Sequence, residues 1–175
     1  MNTNLSEAEL ILLWELHTQL EFATKDAAAT VATMTPDSYV NHVPVMTGGR
    51  RRDEMIEFYG KHFIPKMPAD TSLRLLARTV GNDRLIDEFV FSFTHDIEMD
   101  WMLPGIRPTH QKVEIPMVVV VQFERDKIAC ERIYWDQASV LVQIGVLDRA
   151  SLPVTGVEQA RKFENPQLPS NELRR

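Results

Sequence analysis

The sequence predicts an α+β domain, and three observations carry the prediction. Apolar residues recur at helical spacing through most of the first 63 positions, strand-like runs occupy positions 72 to 136, and short connections join those runs. Helices and strands segregated along a chain pack as separate layers, and short links between successive strands favour an antiparallel meander. A chain of 175 residues suits one domain with one sizeable core.

The elements follow in order. Ser6, with Glu9 three residues on, has the pattern of a capping box, and Leu10, Leu13, Trp14, His17, Leu20 and Glu21 continue at helical spacing. The alanine-rich stretch Thr24 to Thr33 predicts a second short helix, capped by Thr24 or Asp26 and ended by Pro36. Asp37 to Val45 alternates as a short strand, which Pro44 either ends or places at an edge. Met46 to Gly49 reads as a turn, and Asp53 to Phe63 as a third helix closed by Pro65 and Pro68. Four strands are then expected at Ser72 to Val80, Arg84 to Asp96, Lys112 to Glu124 and Ile128 to Asp136. A Pro- and Gly-containing loop, Trp101 to Thr109, interrupts them, and Arg125-Asp126-Lys127 makes a hairpin turn. Ala138 to Val146 predicts a last helix. The proline-punctuated tail from Ser151 reads as an extended arm, so the chain divides into a domain over 1–150 and an arm over 151–175.

A net charge of −6 argues against nucleic acid as a partner, since phosphate binding needs a basic face. The run Arg50-Arg51-Arg52 is read as a solvated helix start or as an anion or partner contact. The longest apolar run, Met117 to Val121, is far too short to span a bilayer, and no signal-like stretch opens the sequence. Cys130 is the single cysteine, so no intrachain disulfide or cysteine metal site can form. A reducing, cytoplasmic compartment fits.

Three phrases carry a family resemblance. Asn41-His42-Val43-Pro44 precedes Gly48-Gly49-Arg50 and a helix to Phe63. Phe93-Thr94-His95 leads to Leu103-Pro104-Gly105-Ile106-Arg107-Pro108-Thr109. Glu131-Arg132-Ile133-Tyr134-Trp135-Asp136-Gln137 runs into Leu141-Val142-Gln143-Ile144-Gly145. In this order, over about residues 6 to 147, they resemble the SnoaL-like branch of the NTF2-like superfamily. The resemblance implies a cone in which a curved antiparallel sheet wraps around the N-terminal helices and leaves a small-molecule pocket. It implies homodimers pairing through the outer sheet face. It also implies acid–base chemistry without metal or cofactor in those members that are enzymes (isomerases, cyclases, dehydratases and hydrolases). Other members bind without catalysis, so the fold alone does not settle function.

The candidate site is expected where the strands end. Asp136, His42 and His95 come from three strands, and their convergence would make an acid–base set. Asp136 carries a second reading, as the N-cap of the last helix or the ion-pair partner of Arg132. His95 shares strand parity with Phe91 and Phe93 and is read as pocket lining or as a hydrogen-bonded structural residue. Tyr39, Tyr134, Trp101, Asp100, Arg132 and Phe91 are expected to shape the cavity, with Trp101 and Asp100 at its mouth or in a dimer contact. Trp135 is expected on the outer face and Trp14 in the first-helix core. No metal site is expected, since the histidines show no ligand spacing.

Overall fold

The computed structural model describes residues 4–174. Ser6 caps helix α1 (Glu7–Gln19) as expected: its Oγ accepts from the Glu9 N–H, and Glu9 returns a bond to the Ser6 backbone. Beyond Gln19 the helix widens into a π-helical turn, Leu20–Thr24, which ends at Lys25 in a left-handed conformation. Asp26 caps α2 (Ala27–Ala32). Strands β1 (Met34–His42) and β2 (Thr47–Arg50) follow, then α3 (Arg51–Glu57). This helix also widens, into a π-helical segment Phe58–Phe63 and a 3-10 turn Ile64–Lys66 that contains Pro65.

The strands β3 (Ser72–Val80), β4 (Arg84–Thr94), β5 (Lys112–Glu124) and β6 (Lys127–Trp135) form the expected antiparallel meander. The sheet is mixed, however, because β1 pairs parallel to β6; the strand order is β2-β1-β6-β5-β4-β3. That corrects two expectations. Strand β1 is interior, with β2 on one side and β6 on the other, so Pro44 follows the strand's end at His42 and does not mark an edge, and the stretch from Thr47 is a short edge strand rather than only a turn. Pro36 lies inside β1, where the β1–β6 register is irregular between Met34 and Tyr39, so its missing N–H breaks no regular ladder. Helix α4 (Gln137–Gln143) follows β6. The tail is not extended throughout: α5 (Glu158–Glu164) buries Ala160 and packs back on β5, held by an Arg74–Glu164 ion pair.

From Val113 onward strand β5 alternates buried and half-buried residues, so Val113, Ile115, Met117, Val119, Val121 and Phe123 face the helices. The cone between this inner face and α1, α3 and their π-helical extensions holds the core. Among the described residues no helix is long and apolar enough to cross a membrane.

Candidate active site

A cavity of about 420 Å³ opens between the helices and the inner sheet face. Aromatic and aliphatic side chains make most of its wall, among them Trp14, Phe58, Phe63, Phe89, Phe91 and Trp101. Its polar lining includes Glu21, His42, Tyr59, Asp87 and Glu131.

Glu21, Tyr59 and Glu131 meet around His17, which is fully buried behind them. His17 and Glu21 stand one helical turn apart, and Glu131 reaches them from β6. The Thr33 hydroxyl donates to the Thr30 carbonyl at 2.7 Å, so at 2.6 Å it must accept the proton of His17 Nδ1. Nε2 is thereby the nitrogen that faces the carboxylates, 3.0 Å from Oε1 of Glu21 and 3.0 Å from Oε1 of Glu131. The Tyr59 hydroxyl lies 3.3 Å from the same nitrogen and donates to Glu131 at 3.4 Å. Burial works to lower the His17 pKa, but the charges of Glu131 and Glu21 outweigh it and raise it to about 10. Burial raises the Glu21 carboxyl, helped by the like charge of Glu131 and opposed by His17. Burial and the same two carboxylates push the Tyr59 hydroxyl well up. Among the described residues, His17, Glu21 and Glu131 form the one group of donors that could hold a metal ion, all within 4.8 Å of one another.

A second polar group lies toward the exposed side. Arg78 clamps Asp87 with two bonds of 2.7 and 2.8 Å, and Trp14 Nε1 donates to the same carboxylate at 2.8 Å. Arg78 also reaches Glu15 at 3.0 Å. Hydrogen bonding to Asp87 raises the Arg78 pKa further, so the guanidinium stays charged and occupied.

The structure brings together part of the expected site. His42, Phe91 and Trp101 line the cavity. His42 packs among Phe58, Phe63, Trp101 and Trp135, and this burial lowers its pKa to about 3 against a weaker opposing bond with the Thr47 backbone. Its Nδ1 is buried without a hydrogen-bond partner.

The other expected residues lie elsewhere. Asp136 caps α4, accepting from the Ser139 N–H at 3.2 Å, and its other oxygen accepts from Gln159 Nε2 at 2.9 Å. Tyr134 is 42% exposed on the outer face. Arg132 donates there to the Tyr39 hydroxyl at 2.9 Å, not to Asp136. Trp135, expected outside, is buried in the core. A bulge explains the inversion. Phe123 pairs with Ile128 and Gln122 with Cys130, so Ala129 is an extra residue and every side chain after it changes face. His95 is buried beyond the end of β4 and does not line the cavity. The Thr109 N–H donates to its Nδ1 at 3.3 Å, which leaves the ring proton on a buried, unpartnered Nε2. Burial lowers its pKa, and His110 adds to the effect. Asp100 pairs with His62 at 2.8 Å on the surface.

Sequence reasoning missed His17, Glu21, Glu131 and Tyr59. A signal was present: His17 and Glu21 continue the apolar stripe of Leu10 and Trp14, where a His/Glu pair must find buried partners.

The sequence profile described as a SnoaL-like domain matches residues 16–131. Among curated proteins, none matches. Solved structures share the fold. TsrD from Streptomyces laurentii is 18% identical with a TM-score of 0.65, the match covering 82% of this chain and all of TsrD. An NTF2-like protein of unknown function from Burkholderia pseudomallei K96243 is 15% identical, TM-score 0.60, over 78% of this chain and 98% of its own. A protein with a ketosteroid isomerase-like fold from Catenulispora acidiphila, in complex with trimethylamine, is 13% identical, TM-score 0.59, over 77% and 93%. At these identities the likeness shows the fold and chooses no reaction.

Proposed function

The chain belongs to the SnoaL-like family, and from that premise we propose that it is a small-molecule enzyme working by acid–base chemistry on a mostly apolar carbonyl or lactone-like substrate. One observation carries the reading. Two carboxyl groups, Glu21 and Glu131, are presented with the Tyr59 hydroxyl inside a cavity walled mainly by apolar side chains. An apolar wall selects an apolar body, and a few convergent polar groups fix the reacting end. Carboxyl groups within reach of a carbonyl and its α-carbon can exchange a proton there, the step that isomerisation, aldol-type cyclisation and β-dehydration share, while in hydrolysis the same groups would take a proton from the attacking water and return one to the leaving oxygen. His17 is a positioning residue, since it stands behind the carboxyl groups. His42, buried and held neutral, contributes its ring to the cavity wall.

The test is α-proton exchange of 2-tetralone in D2O, followed by proton NMR, with binding read from the emission of Trp14 and Trp101. The wild-type chain should bind the ketone and accelerate exchange, and Glu131→Gln should lower the rate by about 100-fold or more. Exchange at the buffer rate by the wild-type chain would overturn the catalytic reading. The alternative, a binding module without catalysis, is favoured by one feature: His17, Glu21, Glu131 and Tyr59 already satisfy one another. It predicts binding of the ketone without exchange.

Two further parts of the proposal concern context. A homodimer through the outer sheet face is supported by half-buried Pro116, Val118 and Val120 on β5 beside exposed Tyr134. A cytoplasmic setting is supported by Cys130 being a buried free thiol.

A further inference from the structure

The geometry points to a site for one first-row divalent metal ion, held by Nε2 of His17 and carboxylate oxygens of Glu21 and Glu131, with an open position facing the cavity. The donors suit the ion in number and type. One imidazole and two carboxylates match Zn2+, Mn2+ or Fe2+, whereas calcium needs more oxygens and copper(I) needs sulfur. They are also close to the right spacing. Tetrahedral bonds of about 2.1 Å place donors roughly 3.4 Å apart. Here both carboxylate oxygens lie 3.0 Å from Nε2, and all three donors fall within 4.8 Å.

The surroundings have the form that supports a metal. A metal-bound imidazole is normally fixed by a hydrogen bond from its other nitrogen. His17 has that support in the chain Nδ1–H to Thr33 Oγ to the Thr30 carbonyl, which leaves Nε2 as the nitrogen facing the carboxylates. The Tyr59 hydroxyl steadies Glu131 in the same way. Charge favours occupancy as well: two carboxylates, a neutral imidazole and a divalent ion sum to zero, which suits a site shielded from water. Both helices depart from α-helical geometry where they carry Glu21 and Tyr59, and such π-helical turns frequently mark functional sites. Glu21, Tyr59 and Glu131 line the cavity while His17 lies behind it, so water or a carbonyl oxygen could complete the coordination. The site would otherwise hold a proton on Nε2. The identity of a substrate facing the ion rests on the reading above; the ion itself does not.

The experiment titrates the chelator-stripped full chain with ZnCl2 by isothermal calorimetry, with bound zinc counted by mass spectrometry. One zinc per chain is expected. Glu131→Gln and Glu21→Gln should weaken binding at least tenfold, Thr33→Val should weaken it by about 10–100-fold through the lost support of His17, and the surface variant His62→Gln should leave it unchanged. A wild-type chain that takes up no zinc, or folded Glu131→Gln and Glu21→Gln variants that bind like wild type, would overturn the site. A measurement without variants guards against misfolding: the Mn2+-loaded wild-type chain should show one coordinated imidazole nitrogen by electron spin echo, and none would overturn it. The two readings fail separately. If zinc does not bind while 2-tetralone still quenches the tryptophans, the metal site falls and the cavity reading stands; zinc binding without ketone binding reverses that.

Discussion

His42 is the residue at which burial has the clearest measurable consequence. Its ring is nearly inaccessible among four aromatic side chains, and its pKa falls to about 3 from an ordinary 6.5. Between those values the unfolded chain binds a proton that the folded chain refuses. Stability contributed through this group is therefore intact above pH 6.5 and drains as pH falls, by about 1.4 kcal/mol per unit. At pH 5 the loss is about 2 kcal/mol. Urea melts of wild type and His42→Gln across pH 5 to 7.5 should show the slope in the first protein and a shallower one in the second; parallel profiles would refute it. Asp136 makes the opposite kind of prediction. Both its oxygens are engaged at the start of α4, so Asp136→Ala should cost about 1 kcal/mol as a lost cap. It should leave 2-tetralone exchange unchanged, and a large fall in that rate with the fold intact would return Asp136 to the chemistry.

Elements with simple periodicity were legible in the sequence. The capping box of α1 and the full extents of β3 and β5 needed only spacing and turn residues. Features that depend on a partner strand were not. The bulge at Ala129 has no glycine to announce it, and it reverses the inward side of β6, which removed Tyr134 from the expected pocket and put Glu131 there. The π-helical turns were hidden as well, since five- and six-residue departures leave an apolar stripe looking helical. Thus His42, Phe91 and Trp101 could be placed in the cavity from sequence, while the His17 group could not. Gly48, by contrast, is a glycine that the β1–β2 pairing demands. Its φ is +144°, and a Cβ there would lie 1.9 Å from the Val40 carbonyl oxygen. Gly48→Ala should cost about 2 kcal/mol or more, whereas Gly60→Ala, with no contact inside 3.8 Å, should be neutral or slightly stabilising. Equal unfolding midpoints for the two variants would show that the β1–β2 junction tolerates a side chain.

At the scale of the whole molecule, the sheet separates two tasks. Its inner face closes over the cavity, and its outer face carries apolar surface that the single chain leaves partly uncovered. Pro116, Val118 and Val120 alternate outward along β5, Ile86 lies across from Val120 on β4, and Tyr134 lies across from Val118 on β6. Glu88 and Arg132 stand directly across from Val118 and Val120, so the face is apolar along β5 with charges beside it, and a closed two-fold pairing would cover it in one step. The proposed homodimer therefore has a direct test in Val118→Asp. The substitution lies on the face away from the core, so the fold and the cavity should survive while a charge enters the contact without a partner. Light scattering at micromolar concentration should give twice the chain mass, 40.2 kDa from 20.1 kDa per chain, for the wild type and the single-chain mass for the variant. Circular dichroism and ketone binding should remain alike. A wild-type chain that scatters as a monomer would overturn the pairing. A variant that stays dimeric would move the interface off this face, to a surface that neither β5 nor its neighbours supply.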